Sequence, residues 1–243
     1  MASKIKIAEG ATTALAQPEK ATDVPALIKG SGSMAADSPN QGFLPSLKLV
    51  YPIECGREIP AKFAYHLGIS DGEGFDPLLK PFSLVALASR NATRRSIEQP
   101  DGSTTYERAY AAWKGQASSA TRYAEMLAAA NAGDKSMLVG ASYLVAVIST
   151  DGVCIAQCDA FKALASYIGK VLYQANIEAG LRADIEIIDH SPNLVDNKAG
   201  DRQYLGSKKF RQFKIEPLTD QQRADIDAAV ADALDEIAGW VRR

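Results

Sequence analysis

Cysteine is scarce, with three in 243 residues. That excludes a disulfide-stapled scaffold and fits a reducing compartment. Histidine is scarcer still, at two, which leaves little for imidazole catalysis or a His-rich metal site. No apolar run approaches the ~18 residues of a membrane helix. The opening MASKIKIAEGATTALAQPEK lacks the apolar segment of a secretory signal. The expected setting is therefore cytoplasmic, without membrane. Neither sign of charge dominates: 27 Lys plus Arg face 29 Asp plus Glu, a net of -2. That balance does not suggest a histone-like or arginine-rich binder, and the distribution of charge carries more information than its sum. Hydrophobic residues, at 47%, are inflated by alanine, and the total suits one large soluble domain or two small ones.

What is present falls into three stretches. Residues 1–42 are rich in Ala, Gly, Ser, Thr and Pro, offer little to bury, and are expected to form a flexible tail. Order is expected from Gly42-Phe43-Leu44-Pro45 onward, in a domain over 43–218. SLKLVYPI alternates with period two, and KFAYHLGI and PFSLVALASR read as further strands. Residues 104–132 read as a helical insertion of two helices split near Gly115 and Ser118-Ser119, with Tyr106, Tyr110 and Trp113 on one face and Gly133 as the stop. YLVAVIST and GVCIAQCD form a hairpin turning at Thr150-Asp151-Gly152. Asp159 is the expected N-cap of a helix reaching Ala179, followed by Gly180 in a left-handed cap. RADIEIIDHS and KKFRQFKIEPL are the last strands. Residues 219–243 are expected to form one amphipathic helix with a Thr219–Gln222 capping box and a stripe of Ile226, Val230, Ala233, Ile237 and Trp240.

With PFSLVALASR as its first strand, the order is β-β-β-α-β-β. That is the order of an OB-fold, a small five-stranded barrel. The expected class is mainly β with helical additions (α+β): an OB-fold-like barrel with extra N-terminal strands, a helical insertion and a C-terminal helix. The earlier strands would extend the sheet or cover one barrel end.

Charge is unevenly placed on this frame. Arg90, Arg94 and Arg95 cluster at the end of the first barrel strand. Residues 201–214 carry Arg202, Lys208, Lys209, Arg211 and Lys214 against Asp201, a net of +4, with Tyr204, Phe210 and Phe213 interleaved. By alternation Phe213 and Ile215 face a core, while Lys208, Phe210, Gln212 and Lys214 face outward. Cations flanking an aromatic ring suit single-stranded nucleic acid, phosphates on the first and stacked bases on the second. A basic edge strand that blocks edge-to-edge pairing has the same composition. Residues 216–243 balance this with a net of -4. They offer a surface for basic partners, such as replication or recombination proteins, or a face that pairs with a second copy.

Sites for other chemistry are poorly furnished. Cys154 and Cys158 would sit about 13 Å apart on one side of a strand, too far for one zinc ion. Asp189, His190 and Ser191 are neighbours on a strand and face opposite ways, which is no triad. There is no G-x-S-x-G elbow and no phosphate-binding glycine loop. Asp184 and Glu186 share a face and would be the carboxylates of a Mg²⁺-dependent nuclease, or simply the wet face of a strand. No catalytic residue, metal ligand or cofactor is assigned.

Gly42-Phe43-Leu44-Pro45 followed by LKLVYPI, and Tyr204-Leu205-Gly206-Ser207-Lys208-Lys209-Phe210 running into FKIEPLT and an Ala-rich helix, resemble single-stranded DNA-binding proteins of tailed bacteriophages. The likeness spans roughly residues 43–220. It implies an OB-fold with a single-stranded DNA groove, no catalysis, a role in replication or recombination, and the cytoplasm of a bacterial host. The expected contacts are Lys208, Lys209, Phe210, Arg211 and Lys214, helped by Tyr204, Arg202, Arg90, Arg94 and Arg95. The alternative is a phage structural or assembly protein using the barrel and terminal helix for protein contacts or homo-oligomers.

Overall fold

The computed structural model describes residues 44–50, 66–70, 76–78, 81–112, 120–187, 194–196, 203–205 and 211–242. The strands are β1 (Ser46–Val50), β2 (His66–Ser70), β3 (Asp76–Pro77), β4 (Phe82–Glu98), β5 (Thr104–Tyr110), β6 (Met137–Ser149), β7 (Gly152–Ala160), β8 (Leu181–Ile187), β9 (Leu194–Asp196), β10 (Gln203–Leu205) and β11 (Arg211–Pro217). The helices are α1 (Ala120–Asn131), α2 (Lys162–Gln174), α3 (Asp220–Asp232) and α4 (Leu234–Arg242). The fold is mainly β, a curled half-barrel sheet with helices on both faces.

Among the described residues the sheet has nine strands in the order β11-β8-β4-β6-β7-β1-β2-β3, with β5 added to β4. β4 organises it. Its 17 residues pair with β6 along one edge from Ser83 to Arg95. On the other edge β8 takes Phe82–Leu84 and β5 takes Ala92–Glu98. The register shifts between Ala86 and Ala88, a bulge that bends the strand and re-aims its second half. The hairpin β6–β7 turns at Thr150-Asp151-Gly152 as the sequence requires, with Gly152 at φ +122°. β1 pairs parallel to the far edge of β7, where Pro45 O accepts the Gln157 N–H at 2.8 Å, so the early strands extend the sheet.

Alternation along β4, β6 and β7 makes two cores. Inside the curl, Leu84, Ala86, Val145, Val147, Ala156 and Cys158 pack with Tyr167, Ile168, Val171 and Leu172 of α2. Phe213 and Ile215 face this core, as alternation required. On the outer face, Val85, Leu87, Leu144, Ala146 and Ile155 are covered by Ile226, Val230, Ile237, Trp240 and Val241 of α3 and α4.

Three expectations are corrected. Residues 104–110 are a strand, not a helix. Only α1 of the expected pair is a helix among the described residues, ending before Gly133 at φ +90°. Asp159 does not cap α2. It belongs to β7, the N-cap position is Phe161 without a side-chain cap, and the helix stops at Gln174. Gly180 does take a left-handed conformation, six residues beyond that end. The terminal helix opens with the expected Thr219–Gln222 capping box but breaks at Ala233, giving α3 and α4.

Candidate nucleic-acid interface

Register decides which side chains of β4 and β5 meet. Ala92 lies opposite Tyr110, Arg94 opposite Arg108, and Ser96 opposite Tyr106. Directly opposed residues share a face, so these six line the outer side of a two-stranded arm. The intervening set, Thr93/Ala109, Arg95/Glu107 and Ile97/Thr105, faces the other way. There α1 backs the arm: Tyr123 and Met126 pack on Ala109, and Arg122 bridges Glu107 at 2.7 Å and Glu125 at 2.9 Å. That pairing with Arg122 holds the Glu107 carboxyl below its ordinary range.

The outer side is a strip of arginines on aromatic rings. The Arg94 guanidinium lies 4.5 Å from the Tyr106 ring centroid and 5.0 Å from that of Phe161. Arg90, one helical-looking but strand-true step of four residues away, lies 4.2 Å from Tyr110 and 4.9 Å from Trp240. Such contacts contribute from about 0.5 to about 2 kcal/mol each, more as water is excluded. Tyr106 is 50% exposed and the Arg108 side chain 46%. Arg94 is partly buried, its Nε makes no hydrogen bond, and burial lowers its pKa. An arginine nonetheless stays charged at any physiological pH.

Asp159 anchors the strip from β7. Its carboxylate accepts from Ser142 Oγ at 2.6 Å and from Tyr110 OH at 3.1 Å, and Arg108 Nε lies 3.4 Å away. Trp240 Nε1 donates to Ser142 Oγ at 3.2 Å. Burial, then the adjacent Asp159 carboxylate, pushes the Tyr110 phenol up to about 12. Gly140 makes the strip possible: a Cβ there would come within 2.2 Å of Ala160 O and 2.7 Å of the Phe161 ring.

The expected site residues divide accordingly. Arg94 stands in the strip. Arg90 does not reach solvent. It is 2% exposed, and its Nη2 donates to the Trp240 carbonyl at 2.6 Å, so it caps the end of α4 from within. Arg95 is exposed, but strand alternation puts it on the α1 side, opposite Glu107. None of the three ends a strand; all sit inside β4. Lys214 is exposed on β11 and ion-pairs with Glu216 of its own strand. Arg211 and Tyr204 lie on β11 and β10, while Arg202, Lys208, Lys209 and Phe210 fall outside the described residues. Tyr106 and Arg108 were not among the expected contacts. Their signal was period-two spacing, Tyr106-Arg108-Tyr110.

Other features suit the same ligand less. A cleft of about 410 Å³ opens between β4 and α2, with Tyr173 standing 85% exposed at its rim, but its single charged liner is Glu178. Asp184 is engaged by Ser83 Oγ at 2.6 Å and Arg182 Nε at 2.8 Å. Among the described residues no three His, Cys, Asp or Glu side chains gather as a metal site, and no helix is long and apolar enough to cross a membrane. Cys154 and Cys158 are free thiols on β7 whose pKa values burial raises. No family model, no curated protein and no solved structure matches this chain.

Proposed function

We propose that the protein binds single-stranded DNA without sequence specificity, through the outer side of the β4–β5 arm, and protects it during phage-type replication or recombination. The observation that carries this reading is the Arg94–Tyr106–Arg108 strip. A half-exposed ring offers a base-stacking platform, guanidiniums beside it offer phosphate contacts, and neither reads sequence. Arg94 and Arg108 outweigh Asp159 along the strip.

The topology supports an OB-fold reading. Such a barrel has strand neighbours in the order 5-4-1-2-3 and a helix between strands three and four. The run β11-β8-β4-β6-β7, with α2 after β7, has that order. OB-folds bind oligonucleotides on the face of strands two and three and on the 1–2 and 4–5 connections. Here α3 and α4 cover the outer face of β6 and β7, which directs a ligand to the connections. On that reading the arm joins the end of strand one to β5, the first part of the 1–2 connection. Arg202, Tyr204, Lys208, Lys209 and Phe210 belong to the 4–5 connection in sequence. The assembly alternative draws less support, because the apolar stripe of the terminal helices is spent on the protein's own sheet.

The test is fluorescence anisotropy of a labelled ~30-nucleotide oligo-dT at ~50 and ~200 mM salt, with oligo-U and duplex DNA alongside. Tight, salt-sensitive binding to the single strand and weak binding to duplex is expected. Absence of binding by micromolar protein at the lower salt overturns the reading.

A further inference from the structure

Asp159 serves two neighbourhoods at once. Toward the arm it holds the Tyr110 hydroxyl and faces Arg108. Toward the C-terminal helices it accepts from Ser142, whose oxygen in turn accepts from the Trp240 indole. Ser142 is fully buried and Trp240 is 1% exposed, so the Ser142–Trp240 end of this chain is shielded from water. The contact to Arg108 is the loosest of the set and the only one on a half-exposed side chain. A phosphate arriving on the strip therefore competes with Asp159 for Arg108. Every compensating adjustment of the carboxylate passes to Ser142 and Tyr110.

Building on the proposed single-strand binding, we propose that Asp159 is a positioning residue of the strip, and that its hydrogen-bond chain reports occupancy of the strip to Trp240. The carboxylate sets the plane of Tyr110 and the reach of Arg108. It touches no ligand itself. Its bare charge makes the opposite prediction, which separates the two roles. A carboxylate acting only through repulsion of phosphate weakens binding, so removing its charge tightens the complex. A carboxylate that positions the strip accepts from both Tyr110 and Ser142; as an amide it keeps one accepting oxygen, one of the two bonds is lost or reversed, and binding weakens.

The experiment uses the full chain with Trp113→Phe, which leaves Trp240 as the sole indole. Labelled ~30-nucleotide oligo-dT is followed by anisotropy while Trp240 emission is recorded. We expect both signals to saturate together. Asp159→Asn should weaken binding roughly tenfold. Ser142→Ala removes the link between Asp159 and Trp240 and should lose the emission change while the anisotropy signal still saturates. Tighter or unchanged binding by Asp159→Asn overturns the positioning role. Where Asp159→Asn fails to fold, Tyr110→Phe takes its place, with roughly threefold weaker binding expected and unchanged affinity counting against the proposal. A parent that binds with Trp240 silent, or a Ser142→Ala variant that keeps the emission change, overturns the coupling while single-strand binding stands. A parent that does not bind removes both readings.

Discussion

Arg90 and Arg94 point to the same side of one strand, yet Trp240 closes over the first and leaves the second at the edge of solvent. Their substitutions should separate accordingly. Arg90→Ala strips the donor from the last carbonyls of α4 and should lower stability by roughly 2–4 kcal/mol, read in urea unfolding. Tyr106→Ala should cost no more than about 0.5–1 kcal/mol of stability, from its half-exposed contact with Arg94, and lose one stacking contact, about 1–3 kcal/mol of affinity, with the salt slope unchanged. Arg108→Ala should reduce the slope of log K against log salt by about 0.7, one phosphate's worth on a single strand. Tyr110 supplies a pH signature. Its phenol titrates near 10 when unfolded and at about 12 when folded, so the neutral form is favoured by folding. That contribution is complete below pH 10 and is lost as pH rises toward 12. The loss is of order 2–3 kcal/mol in denaturation midpoints taken across that window. Tyr110→Phe should flatten the alkaline limb.

The arm holds its shape through backbone contacts as much as side chains. Gly140 lets the end of β7 pass directly over β6, which seats Phe161 beneath Arg94. Gly140→Ala should cost at least about 1–3 kcal/mol, because the nearest obstacle is a backbone oxygen that cannot rotate away. It should also weaken single-strand binding by displacing Phe161; a thermal melt and the anisotropy titration check the two effects. The arm was also the element least legible in the sequence. Tyr106 and Tyr110 are four residues apart, a spacing that puts two residues on one face of either a helix or a strand. Arg108 between them decides for the strand, and its partner Arg94 lies on another element. Several local signals were read correctly, among them the hairpin turn at Gly152, the capping box at Thr219 and the inward Phe213 and Ile215, whereas the capping signal at Asp159 was overridden by its place in β7. The burial of Arg90 depends on a contact made 150 residues away, and no local pattern encodes it.

At the scale of the whole molecule, the sheet is shared by two cores, and the outer one is closed mainly by α3 and α4, with Leu44 and Ile177 at its margins. Ile226, Val230, Ile237, Trp240 and Val241 each contribute about 1.5–3 kcal/mol on burial, against a total stability of roughly 5–15 kcal/mol for a domain. A chain ending at residue 218 should therefore lose its cooperative melt and bind an apolar dye, as measured by calorimetry and dye fluorescence. Loss of a defined oligomer with the fold intact would instead favour assembly as the role of these helices. Chain order gives this arrangement a timetable. β4, β6 and β7 have all been synthesised once the ribosome passes Ala160, but the α3 and α4 residues that shield their outer face are added up to some 80 residues later. At ~5–20 residues per second that interval is roughly 4–16 s, far longer than hairpin formation. A nascent half-barrel thus waits on the ribosome with Leu144 and Ile155 bare, and in that window it is a natural client for a holding chaperone.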